Sequence, residues 1–200
     1  MTEQTRERSL FGLVLAGGKS RRMGQDKALL DRGGQSQLAY VVSLLEGQVE
    51  RVFVSTRADQ EEDAERRQFE RITDRYQDIG PIAGILSAMD AYPRADWLVV
   101  ACDLPNVDAT TIEHLLDHRD SDNPFIAYAS SYDALPEPLC ALYRAGSEAI
   151  LREFVGAGLH CPRKMLIRSD TLLLQQANPS ALDNINTPDD LRVSVLETTS

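Results

Sequence analysis

Leu10-Phe11-Gly12-Leu13-Val14-Leu15-Ala16-Gly17-Gly18-Lys19-Ser20-Arg21-Arg22-Met23-Gly24-Gln25-Asp26-Lys27 is the stretch on which the reading of this chain turns. Its apolar start, Leu10–Leu15, predicts a buried strand that stops at Ala16-Gly17-Gly18. Gly17 and Gly18 are able to take positive φ and to let backbone N–H groups approach a phosphate closely. Residues 19–27 then carry four cations, Lys19, Arg21, Arg22 and Lys27, against the single acid Asp26. The whole chain has 200 residues and a formal net charge of −10, so this local reversal of sign needs a reason. A polyphosphate supplies one, because Arg grips phosphate in a fork and Lys meets it as a point charge. The plainer alternative is a glycine turn with a solvated basic face, and Lys19 and Arg21 fit that description even beside a bound anion.

Two familiar phosphate loops are excluded by spacing. Gly18-Lys19-Ser20 imitates the end of a Walker A loop, but that loop needs a glycine where Leu13 stands, and Gly12 comes one residue early. The dinucleotide pattern Gly-x-Gly-x-x-Gly is absent, since the glycines fall at 17, 18 and 24.

Working outward, short apolar runs alternate with helical stretches. Strands are predicted at Arg51–Ser55, Arg71–Asp74, Trp97–Ala101, Phe125–Ala129, Leu139–Tyr143 and Thr171–Leu174. Helices are predicted at Leu38–Leu45, at Pro81–Ala91 after Gly80, at Asp108–His118 with Asp108 as N-cap, near Ser147–Val155, and from Pro188 to Val195 after Thr187. Asp59–Phe69, with the acidic run Glu61, Glu62, Asp63 and Glu65, reads as an exposed helix or loop. Tyr132–Pro138 reads as a connecting loop. The alternation implies a three-layer α/β/α arrangement on a mostly parallel sheet, in one domain spanning 1–200, with loose tails at 1–8 and 197–200. Leu10–Leu15 and Trp97–Ala101 are expected to be adjacent central strands. Three strands end in polar punctuation: Leu15 before Gly17-Gly18, Ile72 before Asp74, and Val100 before Asp103. Ligands of open parallel sheets sit outside the carboxyl ends of the strands, so these three ends can line one crevice.

Composition narrows the classes. A hydrophobic fraction of 42% is that of a globular chain and not of a disordered one. The acidic balance argues against a nucleic-acid partner. No apolar run is long enough to span a membrane, and Met1–Ser9 has no apolar core of a secretory signal, so the expected address is cytoplasmic. Cys102, Cys140 and Cys161 are odd in number and far apart, which suggests neither a disulfide framework nor a zinc site. His114 and His118 stand four apart on a predicted helix, a metal-compatible spacing, but without a third ligand a solvated helix face is preferred. No Ser/His/Asp or Cys/His constellation stands out.

The segment Leu-Ala-Gly-Gly-Lys-Ser-Arg-Arg-Met-Gly-Gln-Asp-Lys-Ala-Leu-Leu, positions 15–30, resembles the signature of the MobA-like nucleotidyltransferases, and within them the molybdenum cofactor guanylyltransferase branch. Gly80-Pro81-Ile82-Ala83-Gly84, Cys102-Asp103-Leu104-Pro105 and Asn184-Ile185-Asn186-Thr187-Pro188 follow in that family's order, so the resemblance spans nearly the whole chain. It implies a Rossmann-like nucleotidyltransferase fold and transfer of GMP from GTP to the terminal phosphate of molybdenum-bound molybdopterin, with release of pyrophosphate. Leu15, Ala16 and Gly17 would line the guanine and ribose; Gly18, Arg22 and Lys27 would face the triphosphate; Asp74 would border the nucleotide. Asp103 would carry Mg²⁺, and Lys27, Arg22 and Asp103 would serve the chemistry. Gly80 and Gly84 would let a helix N-terminus approach the substrates, and Arg163, Asn184 and Asn186 would face the pterin or the phosphates. Transient contact with molybdopterin-handling proteins or molybdoenzymes is implied as well.

One departure is plain: family members often have Asn after the second strand, where this chain has Ser55-Thr56-Arg57. A cytidylyl relative would tend to show Ala-Ala-Gly and a Pro before the lysine; Ala16-Gly17-Gly18 and Asp26-Lys27 favour guanine. A nucleotidyltransferase acting on a sugar phosphate fits the later motifs less well. A non-catalytic nucleotide-binding partner in cofactor delivery would not need Lys27 and Asp103 together. The missing general base is in keeping with transfer to a phosphate, which is already an anion, so that alignment and charge neutralisation suffice.

Overall fold

The computed structural model describes residues 8–18 and 26–184. Its strands are β1 (Leu10–Leu15), β2 (Arg51–Thr56), β3 (Arg71–Thr73), β4 (Asp96–Ala101), β5 (Phe125–Ala129), β6 (Pro136–Tyr143) and β7 (Thr171–Leu174). The helices are α1 (Gln37–Glu46), α2 (Ile82–Ala91), α3 (Ala109–Leu116), α4 (Glu148–Gly156) and α5 (Pro162–Ile167). The seven strands form one sheet in the order β3-β2-β1-β4-β6-β5-β7. Every pairing is parallel except those of β6, which runs antiparallel to both β4 and β5.

Alternation along the strands builds the three layers. Val14, Val54 and Val100 pack with Leu38, Val41 and Leu45 of α1 and with Ile112 and Leu115 of α3 on one face. Leu13, Phe53 and Val99 pack with Ile82, Ile85 and Met89 of α2, Leu151 of α4 and Met165 of α5 on the other. Burying both faces explains why the central strands read as continuous apolar runs. β1 and β4 are neighbours, paired from Leu10 with Asp96 to Leu15 with Ala101. A Cβ on Gly12 would lie 3.1 Å from Leu45 Cδ1, which shows how closely α1 sits on β1.

Local chemistry sets the boundaries. Ser36 caps α1 by accepting from Ala39 N–H at 3.0 Å, and Asp108 caps α3 by accepting from Thr111 N–H at 2.8 Å. Gly80, at φ +70, turns the chain into Pro81 ahead of α2.

Three expectations from the sequence need correction. The loop assigned to Tyr132–Pro138 is shorter, because β6 begins at Pro136. Its prolines are tolerated because the ladder to β4 runs only from Cys140 to Tyr143, so the residues before it owe β4 no N–H. Asp59–Phe69 is not wholly an exposed face: it forms two short 3₁₀ turns, Ala58–Gln60 and Arg66–Gln68, and the Arg66 side chain is only 1% exposed. His114 and His118 are half-buried and partnered: His114 Nδ1 meets the Tyr128 hydroxyl at 3.0 Å, and His118 Nδ1 meets the His114 carbonyl at 2.9 Å. The expected helix from Pro188 to Val195 lies outside the described residues. Among the described residues, no helix is long and apolar enough to cross a membrane.

Candidate nucleotide site

A cleft of about 810 Å³ opens at the carboxyl ends of β1, β2, β3 and β4, where the chain reverses from strand to turn. β1 supplies Leu15 and the residues that leave it, Ala16, Gly17 and Gly18; β2 supplies Ser55 and, just beyond it, Arg57; the turn after β3 supplies Asp74. Gly80, Pro81, Ala83 and Gly84 bring the start of α2 to the rim, and Ala101, Cys102 and Asp103 close the β4 side. Lys27 completes the lining from a single 3₁₀ turn, Lys27–Leu29, that Asp26 caps by accepting from Ala28 N–H at 3.0 Å.

The exit of β1 is held from both sides. Ala16 N–H donates to the Ser55 carbonyl at 3.3 Å, and Cys102 N–H donates to the Leu15 carbonyl at 3.2 Å. Gly17 and Gly18 do not use positive φ. Their value lies in the missing side chain. A Cβ on Gly17 would stand 3.5 Å from both Arg57 Cγ and Asp74 Oδ2, whereas one on Gly18 meets nothing within 4 Å among the described residues.

Charge is arranged in opposed groups. Lys27 Nζ lies 3.4 Å from Asp103 Oδ2. Asp103 Oδ1 is buried and has no hydrogen-bond partner among the described residues. Asp103 sits in the turn after β4 and caps no helix, since Asp108 takes that role for α3. A carboxylate with one oxygen on an ammonium and the other without a donor suits a hard dication that takes its remaining ligands from phosphates and water. Among the described residues, no group of three or more His, Cys, Asp or Glu is arranged to hold a metal, so the residues present fit a one-carboxylate site and not an all-protein cage.

On the opposite side, Ser55 donates its hydroxyl to Asp74 Oδ1 at 2.7 Å. Burial raises the Asp74 pKa, and the Ser55 hydrogen bond and the Arg57 charge pull only partly against it. Arg57 donates through Nε and Nη2 to the Asp59 carboxylate, at 2.8 and 3.1 Å, and through Nη1 to the Gly17 carbonyl. Burial pushes the Cys102 thiol above its ordinary range.

The structure therefore brings together Leu15, Ala16, Gly17, Gly18, Lys27, Asp74, Gly80, Gly84 and Asp103 around one cleft. It holds Arg163 elsewhere. That guanidinium, at the start of α5, donates to the Pro136 carbonyl at 3.0 Å, to Asp133 at 3.1 Å and to Glu137 at 2.7 Å, and it does not line the cleft. Asn184 is exposed and lines no part of the cleft. Arg22 and Asn186 lie outside the described residues.

Sequence reasoning missed Arg57, Ser55 and Arg66. The first two stand at the end of β2, where the family pattern of Asn is absent. Arg66 sits in a stretch whose many charges disguised a buried one.

The fold and the cleft invite comparison with known proteins. A structure of molybdopterin-guanine dinucleotide biosynthesis protein A from Archaeoglobus fulgidus superposes with a TM-score of 0.75 at 24% identity, over 94% of this chain and 96% of that one. A molybdenum cofactor guanylyltransferase of Haemophilus influenzae is 28% identical over 94% of this chain and 98% of its own length. A molybdenum cofactor biosynthesis bifunctional protein of Synechocystis sp. is 38% identical over 90% of this chain; the chain spans about half of that relative, 52% of its length. The sequence model of the MobA-like NTP transferase domain matches residues 12–172, a span that begins in β1, takes in the whole cleft lining and ends in β7. With the match extending across the sheet and every strand end that builds the cleft, the chain belongs to the family of MobA-like NTP transferase domains.

Proposed function

We propose that this nucleotidyltransferase moves GMP from GTP to the terminal phosphate of molybdenum-bound molybdopterin and releases pyrophosphate. The observation that carries the reading is the Lys27–Asp103 pair at 3.4 Å in the cleft, with the other Asp103 oxygen buried and without a hydrogen-bond donor among the described residues. Relatives named for the molybdenum cofactor support the acceptor.

In this reaction an acceptor phosphate oxygen bonds to the α-phosphorus of GTP as the bond from that phosphorus to the β-phosphate oxygen breaks. The acceptor is already anionic, so no general base is required. Gly17 and Gly18 admit the triphosphate, and the Lys27 ammonium faces the charge that builds on the leaving pyrophosphate. Asp74, near the N-terminus of α2, borders the nucleoside. Asp103 would hold a divalent metal, Mg²⁺ in this reading, whose chemistry is to neutralise phosphate charge. The reaction draws on GTP and molybdopterin in the cytoplasm, with transient contacts to the proteins that deliver or receive the cofactor.

Asp103→Asn tests the reading. Turnover should fall by about 10²-fold or more, GTP affinity should fall only modestly, and added Mg²⁺ should recover part of the activity, because the amide keeps an oxygen ligand and loses the charge. Turnover, GTP affinity and melting temperature are measured on the same variant across Mg²⁺ concentrations. A turn aspartate without a metal would leave an active, magnesium-insensitive enzyme, and that result would remove the assignment.

A further inference from the structure

Arg66 is the most deeply buried charge near the cleft, yet it does not line it. Its Nη2 donates to the Ala16 carbonyl at 2.8 Å and to Asp26 Oδ2 at 2.7 Å. Its Nη1 pairs with Asp63 Oδ1 at 3.3 Å, and that same oxygen accepts from the Arg66 backbone N–H at 2.9 Å. Ala16 is where the glycine-rich segment leaves β1, and Asp26 is the residue that delivers the chain to Lys27. One nitrogen thus binds both feet of the segment. The second Asp26 oxygen is already committed to Ala28 N–H, as the cap of the turn that carries Lys27. The linkage runs from Ala16 through Arg66 and Asp26 to Lys27, whose ammonium reaches Asp103.

A buried arginine between two carboxylates is a poor source of net stability, because desolvation offsets much of the attraction. What such a group does well is fix geometry: the planar fork meets its acceptors at set distances and angles. We propose that Arg66 is a positioning residue that holds Ala16 and Asp26 at a fixed separation and so sets where Lys27 stands relative to the triphosphate and Asp103. The inference rests on the nucleotidyl-transfer reading of the same cleft. It adds that the loop is held at its base by the β2–β3 connection, through a side chain that never touches substrate.

Asp26→Asn is the sharpest test. Asparagine caps a turn as well as aspartate, so the Lys27–Leu29 turn survives. Its amide nitrogen, however, presents a donor to the Arg66 donor and loses the charge-assisted bond. Asp26→Asn and Arg66→Lys are compared with Arg67→Met, which alters an exposed neighbour paired with exposed Glu62. Pyrophosphate release is followed with GTP and molybdopterin. Asp26→Asn and Arg66→Lys should each lower kcat about tenfold or more, with KM for GTP changed less than about threefold, because Lys27 acts chiefly on charge developing in the transition state. The Asp26→Asn melting temperature should stay near wild type, and Arg67→Met should match wild type throughout. Wild-type kcat in both test variants would overturn the proposal. If the wild-type protein transfers no nucleotide, the functional reading fails by itself, and the clamp is judged by tryptic cleavage at Lys19, Arg21 and Arg22. Faster cleavage in Asp26→Asn and Arg66→Lys than in Arg67→Met supports it, and equal rates overturn it.

Discussion

Gly84→Ala is a one-carbon change whose consequence follows from the packing of α2 against β2. A Cβ built on Gly84 lies 2.3 Å from Ser55 Oγ, 3.0 Å from Leu15 Cδ2 and 3.1 Å from Ser55 Cβ. The hydroxyl and the new methyl must separate by roughly 1 Å to reach ordinary contact. Ser55 cannot rotate away freely, because its hydroxyl donates to Asp74 Oδ1 at 2.7 Å. Either that bond breaks beside a half-buried carboxylate or α2 lifts from the sheet. Overpacking of this kind costs about 1–3 kcal/mol, and losing a hydrogen bond to a charged group adds about 1.5–3 kcal/mol if the bond breaks. A destabilisation of about 1–3 kcal/mol if α2 lifts, or about 2.5–6 kcal/mol if the bond breaks as well, should lower Tm by roughly 2–12 °C or 5–24 °C in a chain of this size. GTP affinity should fall in parallel, since the clash moves Leu15, Ser55 and Asp74 together. Thermal unfolding and GTP titration of Gly84→Ala, Ser55→Ala and the double variant form a cycle. Removing the Ser55 hydroxyl should recover most of the loss, though not the part due to Leu15 and the Ser55 Cβ. A wild-type Tm in Gly84→Ala, or strict additivity in the cycle, would refute the close-packing argument.

Lys27→Ala should keep the fold and lower kcat by about 10²–10³, the usual loss when one charge-stabilising donor goes; turnover near wild type would reduce Lys27 to surface charge. Gly18→Leu should change Tm little, because among the described residues a Cβ there meets nothing within 4 Å, while GTP binding should be blocked; unchanged affinity in a calorimetric titration would move the triphosphate elsewhere. Asp74 carries a pKa raised by burial, so ionising it costs more in the folded chain than in the unfolded one. The folded state is favoured below the unfolded carboxylate range, and that advantage disappears as pH rises through the raised folded value. Asp74→Asn, neutral throughout and still able to accept from Ser55, should therefore melt higher than wild type near pH 7. The gap should shrink as pH falls toward 4, and a Tm difference independent of pH would contradict the assignment.

How much of the fold could be read depended on how local its causes are. β1 and β4 were legible because both are short apolar runs buried on two faces, and their polar endings at Gly17 and Asp103 mark the edge of the sheet. Asp108 was legible as a cap because the cap bonds to a residue three positions on, Thr111. The start of β6 was not, because prolines at 136 and 138 argue for a loop until it is known that β4 does not pair with that end. Which side of β5 the edge strand β7 would join depends on pairing across more than forty residues, and no local pattern states it.

The cleft divides along the same line. Gly17, Gly18, Lys27 and Asp103 were visible because each is an unusual residue at a strand end or in a stretch of reversed charge. Arg66 was invisible because the chemistry that makes it unusual lies forty and fifty residues away in sequence, at Asp26 and Ala16. In its own neighbourhood it is one more charge in a polar run, indistinguishable from exposed Arg67 beside it. Arg163 shows the converse. A basic residue late in the chain looked free to meet an anion, yet Asp133 and Glu137 on the β5–β6 side already neutralise it. For a cationic side chain near such a site, the deciding question is therefore which carboxylates the fold has delivered to it. Where they have been delivered and buried, as at Arg66, the cation orders the backbone. Where a cation lines the cleft itself, as Lys27 does beside Asp103, it stands where the proposed reaction needs positive charge.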